Sequence, residues 1–212
     1  MTQDQAVYSL HFALAKPLEW AAVGAAAAGL GAAFYGAWRA QIGQPRDMAT
    51  IVGRWDDAAA AAGADAFLRG VLPELRRLDS AVMRPLLRPT TGAPPSRQGN
   101  YAFRRFTTPE ADLPEFLDLC AAAWPGFEAA YDSQVIGLWR FDAAPGPGLV
   151  ETLLLTRRPD LAMWERSKLP QGAAEATVRA ALSRRYDLCL DTHVVTTTLL
   201  SAADRSDDAR WT

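Results

Sequence analysis

The apolar positions of the first 89 residues follow two periods, one typical of strands and one typical of helices. Residues 7–14 combine aromatic and β-branched side chains, which predicts a strand. Residues 64–77 carry apolar side chains three and four positions apart, which predicts a helix with a kink or break at Pro73. The predicted order is strand, helix, strand, strand, helix, strand, with strands at 7–14, 36–42, 48–55 and 80–87 and helices at 18–34 and 64–77.

The same order of elements returns in the second half of the chain. The predicted strands lie at 100–106, 135–141, 149–156 and 192–200, and the helices begin at Asp112 and at Gly172. Two short motifs recur with it: Gly36-Ala-Trp38-Arg39 returns as Gly137-Leu-Trp139-Arg140, and Leu78-Asp79-Ser80-Ala-Val82 returns as Leu190-Asp191-Thr192-His-Val194. We therefore interpret the chain as an internal duplication.

A polar stretch with glycine and two prolines separates the halves. It gives predicted boundaries of 5–89 for the first repeat, 90–98 for the linker, 99–202 for the second repeat and 203–212 for a charged tail.

A β-α-β-β-α-β order is that of a ferredoxin-like unit, in which right-handed crossovers place the strands in the spatial order 4-1-3-2 with both helices on one face. Pro85 falls on the fourth strand, an edge in that order, where a missing N–H is tolerated. Several strands are apolar on both faces, such as Leu153 to Leu155, so the open faces should also be covered. We predict an α+β fold: two tandem ferredoxin-like repeats forming an intramolecular, pseudo-dimeric α/β barrel with its helices outside.

Composition excludes some classes of partner. Half of the residues are apolar and 22% are charged, as in ordinary globular proteins. The net charge of -2 argues against a nucleic-acid partner, which needs a clustered basic surface. Cys120 and Cys189 have apolar neighbours and are predicted to be buried free thiols. The polar N-terminus has no secretory pattern, so we expect a cytoplasmic protein.

One uncharged stretch, from Trp20 to Trp38, is long enough for a membrane span. Alanine and glycine dominate it, however, and its counterpart in the second half carries Glu115, Asp118 and Glu128. We therefore expect a helix whose small residues permit close packing, and no membrane partner.

The chain resembles the NIPSNAP family of the dimeric α/β-barrel superfamily over most of residues 5 to 202. The resemblance is carried by short segments: Val52-Gly53-Arg54-Trp55, Asn100-Tyr-Ala-Phe-Arg-Arg-Phe106, Ala123-Trp124-Pro-Gly-Phe127-Glu128 and Val135-Ile-Gly137-Leu-Trp139-Arg140. The family typically carries arginines in the helix after the third strand. The second half has Trp164-Glu-Arg166-Ser-Lys168 there, whereas the first half has alanines at 58–62 and departs from the pattern.

His11 is the sharpest single candidate, since it lies on a predicted central strand and its counterpart in the repeat is Arg104. A polar residue there needs a hydrogen-bond partner. His11 could be a proton donor or, as in related barrel enzymes that degrade haem, a ligand to haem iron, and it could equally be a structural histidine. His193 falls in the other half, so the two histidines show no metal-ligand spacing, and we expect no metal site.

Other candidates come from the matching positions of the two halves. Trp38 and Trp139 should share one sheet face, where they either pack in the core or line a ligand pocket. His11, Arg104 and Tyr131 are the other candidates for lining that pocket. Arg39 and Arg140 should point to the opposite face and either bridge the repeats or bind an anion.

No dinucleotide, P-loop or nucleophile-elbow motif occurs, so the sequence names no reaction. Three functions follow as hypotheses. The first is binding of a small apolar ligand or a protein partner without catalysis and without a cofactor. The second is a cofactor-independent or haem-linked monooxygenase of the barrel type. The third is a purely structural, homo-oligomeric protein.

Overall fold

The computed structural model describes residues 6–15 and 19–204. The predicted start of the first helix at Leu18 and most of the predicted tail lie outside these residues. Within them, the first repeat consists of β1 (Val7–Leu14), α1 (Trp20–Gly29), β2 (Phe34–Ile42), β3 (Met48–Trp55), α2 (Ala58–Val71) and β4 (Arg77–Arg88). The second consists of β5 (Asn100–Pro109), α3 (Leu113–Tyr131), β6 (Gln134–Phe141), β7 (Leu149–Arg158), α4 (Leu161–Arg166), α5 (Ala173–Asp187) and β8 (Asp191–Leu199).

The strands form one closed antiparallel barrel in the order β1-β3-β2-β8-β5-β7-β6-β4. Each repeat contributes four neighbouring strands in the predicted 4-1-3-2 order, β4-β1-β3-β2 and β8-β5-β7-β6. The barrel closes where the edge strands of the repeats pair, β2 with β8 and β4 with β6. Pro85 lies on the second of these seams, opposite Trp139. The predicted α/β barrel is confirmed.

The barrel interior is filled with aromatic side chains. Strand alternation turns Tyr8 and Leu10 inward, and Trp38 and Trp139 join the same buried cluster with 0% and 1% of their surface exposed. A Cβ atom on Gly36 would overlap the Trp38 ring, and the equivalent glycine of the second repeat stands in the same relation to Trp139. The doubled Gly-x-Trp motif is therefore a packing device, because each indole ring covers the backbone of the glycine two residues earlier.

Helices cover the outer face of each repeat. In the first repeat, small residues permit the close packing expected of α1: a Cβ atom on Gly29 would lie 2.7 Å from the Phe67 ring on α2. In the second repeat, α3 and α5 pack over an apolar layer that includes Phe106 and Phe116. None of the helices among the described residues is long and apolar enough to span a membrane.

Two helices have bounds that differ from the prediction. The first helix was expected to run to residue 34 but ends at Gly29, and Gly31 then adopts a φ of +55° that breaks the helical path. The second begins at Ala58 instead of residue 64, because Asp57 caps it by accepting a hydrogen bond from the backbone N–H of Ala60 at 2.8 Å. It ends at Val71, so Pro73 lies beyond the helix.

Two ion pairs that join the repeats come from β4. Arg84 pairs with Asp142 at 2.9 Å, and Arg88 pairs with Glu128 at 2.6 Å. The sequence suggested Arg39 and Arg140 as bridging residues. Arg140 pairs at 3.0 Å with Glu110 of its own repeat, and the Arg39 guanidinium lies 4.8 Å from the centre of the Trp20 ring, also in its own repeat.

Candidate functional site

A small cavity lies between the outer face of the second repeat and its three helices. Its volume is about 40 Å³. Aromatic side chains from α3, α4 and α5 form much of its wall, with Trp124, Phe127, Trp164 and Tyr186 among them. Five basic side chains also line it, and we call this site the cationic pocket: Arg104, Arg158, Lys168, Arg179 and Arg185.

Local structure explains why these basic residues converge. On β5, Tyr101 and Phe103 face the barrel interior, so strand alternation turns Arg104 outward. On β7, Leu154 packs in the apolar layer beneath the helices of the second repeat. Arg158 lies four residues later on the same strand, so alternation turns it to the same outer side. On α5, Arg179 lies three residues before Leu182 and Arg185 lies three residues after it, and all three side chains line the cavity.

Arg158 is 8% exposed, yet its guanidinium has few polar partners. Nη1 donates to Thr156 Oγ1 at 3.1 Å, whereas Nε is buried without a hydrogen-bond partner. The guanidinium lies 4.7 Å from the Trp164 ring centre and 5.1 Å from that of Phe127. Burial, and secondarily the charge of Arg104, lowers the pKa of Arg158 to about 10.

Arg185 has a similar environment. It is 3% exposed, and its Nη1 donates to Cys120 Sγ at 3.5 Å while its Nε has no partner. The guanidinium lies 4.8 Å from the Phe106 ring centre. Cys120 is itself a buried free thiol, and burial raises its pKa, so it supplies no negative charge.

Lys168 completes the cationic pocket from the loop after α4. Its Nζ lies 5.6 Å from the Trp164 ring centre. Burial, and secondarily the positive charge of the four arginines of the pocket, lowers the pKa of Lys168 to about 8. No carboxylate among the described residues forms an ion pair with any of the five basic side chains, and none lines the pocket.

The loop that carries Lys168 is fixed by Glu175. This carboxylate accepts hydrogen bonds from Arg166 at 2.7 and 2.9 Å and from the backbone N–H of Gln171 at 2.7 Å. The Arg166 contact contributes most to lowering the pKa of Glu175 to about 2. Tyr131, expected in a ligand pocket, instead donates to Glu175 at 3.2 Å and so supports the loop.

His11 occupies the position in the first repeat that Arg104 occupies in the second. The strand register shows this. In the first repeat, Phe12 stands opposite Thr50, which stands opposite Trp38. In the second, Arg105 stands opposite Leu153, which stands opposite Trp139, so Phe12 matches Arg105 and His11 matches Arg104. His11 therefore faces outward, toward α2, and does not line the cationic pocket.

The polar partners of His11 fix its tautomer. Ser80 Oγ donates its proton to Asp65 at 2.6 Å, so His11 Nδ1 must donate to Ser80 Oγ across 2.7 Å. Nε2 is then an unprotonated nitrogen, buried without a partner. Burial lowers the pKa of His11 to about 4, and the charge of Asp65 opposes the shift without cancelling it.

The remaining sequence candidates lie elsewhere. Trp38 and Trp139 pack in the barrel interior, where Trp38 contacts Phe103 edge-to-face at 5.1 Å between ring centres. His193 lies at one end of the barrel. The described residues contain no cluster of histidine, cysteine or carboxylate side chains suited to a metal ion. Sequence reasoning missed the cationic pocket because its five basic residues come from four separate segments, namely β5, β7, the loop after α4, and α5.

No protein-family model and no curated protein sequence matches the chain. Many solved structures do match in fold. An anthrone oxidase-like protein superposes with a TM-score of 0.61 at 15% identity, over 97% of each chain. A heme-binding protein from Thermus thermophilus gives 0.57 at 13% identity, over 92% of this chain and 91% of that one.

A variant of chlorite dismutase from Candidatus Nitrospira defluvii gives a TM-score of 0.55 at 10% identity, over 92% of each chain. At these identities the likeness concerns the fold. The chain thus has the α/β-barrel fold of these structures, with two ferredoxin-like units of one polypeptide closing a single eight-stranded antiparallel barrel.

Proposed function

We propose that this protein binds a small organic anion in the cationic pocket of the second repeat. The observation that carries the proposal is the burial of Arg158 and Arg185 without a carboxylate partner among the described residues.

Burying an ion costs several kcal/mol unless a counter-charge offsets the loss of hydration. Here like charges are also gathered, which adds mutual repulsion. The aromatic rings against Arg158 recover part of this cost through cation–π contacts. An anionic ligand would supply the missing charge and accept hydrogen bonds from the free guanidinium nitrogens. The cavity of about 40 Å³ suits a carboxylate-sized group.

Substitution of one buried cation tests this proposal. Arg158→Met should stabilise the ligand-free protein by about 1–3 kcal/mol, because a buried charge is replaced by an apolar chain of similar length. The same change should abolish binding of formate or acetate, measured by calorimetry. Arg184→Met is the matched control, since Arg184 is half-exposed and paired with Glu115 at 3.0 Å. If Arg158→Met destabilises the protein and leaves anion binding intact, the proposal fails.

A second candidate function is a cofactor-independent monooxygenase. Lys168 supports it, because an amine with a pKa of about 8 is partly neutral near physiological pH and can accept a proton from a phenolic or enolic ligand. The arginines would then stabilise the resulting electron-rich anion, and a solved structure of the same fold is described as anthrone oxidase-like.

Oxygen uptake tests this second function. With anthrone as the probe and no added cofactor, the rate should rise through about pH 8 as Lys168 loses its proton, and Lys168→Met should abolish the rise. Anthrone exceeds the cavity volume, so its binding requires the 167–172 loop to move aside. No uptake above the uncatalysed rate would exclude anthrone as a substrate.

Haem fits this site poorly, although haem-binding proteins share the fold. No histidine lines the cationic pocket, and its 40 Å³ volume is far below that of a porphyrin. His11 has an unpaired Nε2 but is 1% exposed and lies in the other repeat. In a haem titration, the Soret band should therefore behave in the same way in wild type and in His11→Ala. A Soret shift that is present in wild type and lost in His11→Ala would restore the haem hypothesis.

Membership of the NIPSNAP family, a homo-oligomer and a cytoplasmic location are further proposals that rest on the sequence. The purely structural hypothesis predicts no ligand for any site. Light scattering during size-exclusion chromatography tests the oligomer, and the anion titration above separates a structural protein from a binding protein.

A further inference from the structure

A second and larger cavity opens at one end of the barrel. It lies where β1 and β5 end and where the hairpin between β2 and β3 turns, and its volume is about 520 Å³. Volumes of roughly 300–1,000 Å³ are typical of small-molecule sites. The barrel centre is closed by its large aromatic side chains, so this mouth cavity has a floor and does not continue as a channel.

The floor of the mouth cavity is apolar. Phe103, Leu153 and Val195 line it and are at most 5% exposed, and Met48 and the half-buried Phe12 add to the wall. An apolar ligand body placed here would continue the packed core.

Three charged side chains line the wall: Arg77 and Asp79, which pair with each other at 2.6 Å, and Arg105. The guanidinium of Arg105 lies 4.8 Å from the Phe141 ring centre and 5.5 Å from that of Phe12. Only Nη1 is hydrogen-bonded among the described residues, to Glu151 at 3.3 and 3.5 Å. These distances exceed the roughly 2.7–2.9 Å of a strong charge-assisted bond. Nε and Nη2 are therefore available to a ligand.

This arrangement arises because the two repeats differ at one matching position. Arg105 is the equivalent of Phe12, and β1 and β5 run in the same direction, so both side chains reach the same mouth. The first repeat supplies an aromatic surface, and the second supplies a guanidinium that lies against the Phe12 and Phe141 rings.

A second polar group faces the same region. Gln44 lines the cavity, and its Oε1 is buried without a hydrogen-bond partner. The turn is held close to β8: Gly43 has a φ of +95°, and a Cβ atom there would lie 3.0 Å from the carbonyl oxygen of Val194. A buried unpaired acceptor is costly in a native structure, and a hydroxyl or N–H group of a ligand would satisfy it.

We propose that the mouth cavity binds a monocarboxylate with an aromatic or branched aliphatic body. The body packs against Phe12 and Phe103, and the carboxylate accepts hydrogen bonds from Nε and Nη2 of Arg105. Where the body carries a hydroxyl or N–H group, that group donates to Gln44 Oε1. This site is separate from the cationic pocket, because Arg104 and Arg105 lie on opposite faces of β5.

The two histidines of the chain provide a selective probe. His193 lines the mouth cavity, whereas His11 lies beneath α2 on the outer face of the first repeat. Titration with 2-naphthoate should shift the imidazole NMR signals of His193 and leave those of His11 in place. The assignment follows from the signals lost in His193→Gln.

Affinity measurements complete the test. Arg105→Met, which keeps an unbranched chain over Phe12, should weaken 2-naphthoate binding at least tenfold and leave 2-naphthalenemethanol binding unchanged. Arg158→Met is the control for the cationic pocket and should leave the His193 shift intact. The proposal is overturned if His193 does not respond, or if naphthoate binding survives Arg105→Met and disappears with Arg158→Met. The latter result would place the ligand in the cationic pocket and support the function proposed above.

Discussion

The two repeats share strand order, register and the Gly-x-Trp packing device, but their outer layers differ in chemistry. The outer layer of the first repeat encloses a row of hydrogen bonds from His11 to Ser80 and from Ser80 to Asp65. In this row only His11 Nε2 has no hydrogen-bond partner. The layer of the second encloses positive charges without carboxylate partners among the described residues. A duplicated scaffold has thus kept its packing in both copies and concentrated uncompensated charge in one.

Side-chain size explains where the cavity forms. In the first repeat, α2 buries Ala61 and Ala64 and can lie close to the sheet. In the second repeat, α3 buries Trp124 and Phe127, and these larger side chains line a space that basic side chains enter. Ligand binding is therefore expected on the outer face of the second repeat.

The largest expected effect lies in the first repeat and concerns pH. The pKa of His11 falls from 6.5 to about 4 on folding, so below pH 6.5 the unfolded chain binds a proton that the folded chain does not. The stability gained from keeping His11 neutral is present above pH 6.5 and is lost as pH falls toward 4, by about 3 kcal/mol.

Chemical denaturation at pH 7 and pH 4 measures this loss. The loss of unfolding free energy between pH 7 and pH 4 should be smaller by about 3 kcal/mol in His11→Gln than in wild type. The control His193→Gln, at the barrel mouth, should behave as wild type does. An equal pH dependence in wild type and His11→Gln would show that the first repeat does not hold His11 as described.

The next effect should be equal in the two repeats. Gly36→Ala and Gly137→Ala each place a Cβ atom inside a Trp ring, so each should destabilise the fold by about 2 kcal/mol through overpacking. Gly63→Ala is the control, because a Cβ atom there has no neighbour within 4 Å and alanine favours the helix. Strongly unequal losses, measured by urea unfolding, would mean that the shared packing device matters in one repeat only.

The smallest effect is local to the second repeat. Glu175→Gln removes the negative charge that Arg166 pairs with, and so loosens the loop that carries Lys168. Hydrogen exchange at the Gln171 amide should accelerate about tenfold, while amides of the first repeat stay unchanged. Glu165→Gln is the matched control, since the Glu165 side chain has no hydrogen bond among the described residues. Unchanged exchange at Gln171 would show that other contacts hold the loop.

Much of the fold could be predicted from local patterns. Strand alternation around Tyr8 and Leu10 and the position of Pro85 on an edge strand depend on backbone geometry that acts over a few residues. The end of α1 could not be placed, because alanine favours a longer helix and the conformation of Gly31 decides its end. The candidate site was less predictable. Of its five basic residues, only Arg104 was predicted to line a pocket, and Lys168 was named only as part of a motif.

By itself, the sequence determined the duplication, the two ferredoxin-like units and their closure into a barrel, since period, turn residues and doubly apolar strands restrict the packing to very few solutions. The tertiary structure alone decided which face each charged residue occupies. Successive side chains on a strand point alternately into the barrel interior and toward the helix layer. Arg104 and Arg105 are neighbours in sequence and therefore line two different cavities. It also decided that five cations share one space, because nothing in the order of residues records which side chains lack a counter-charge.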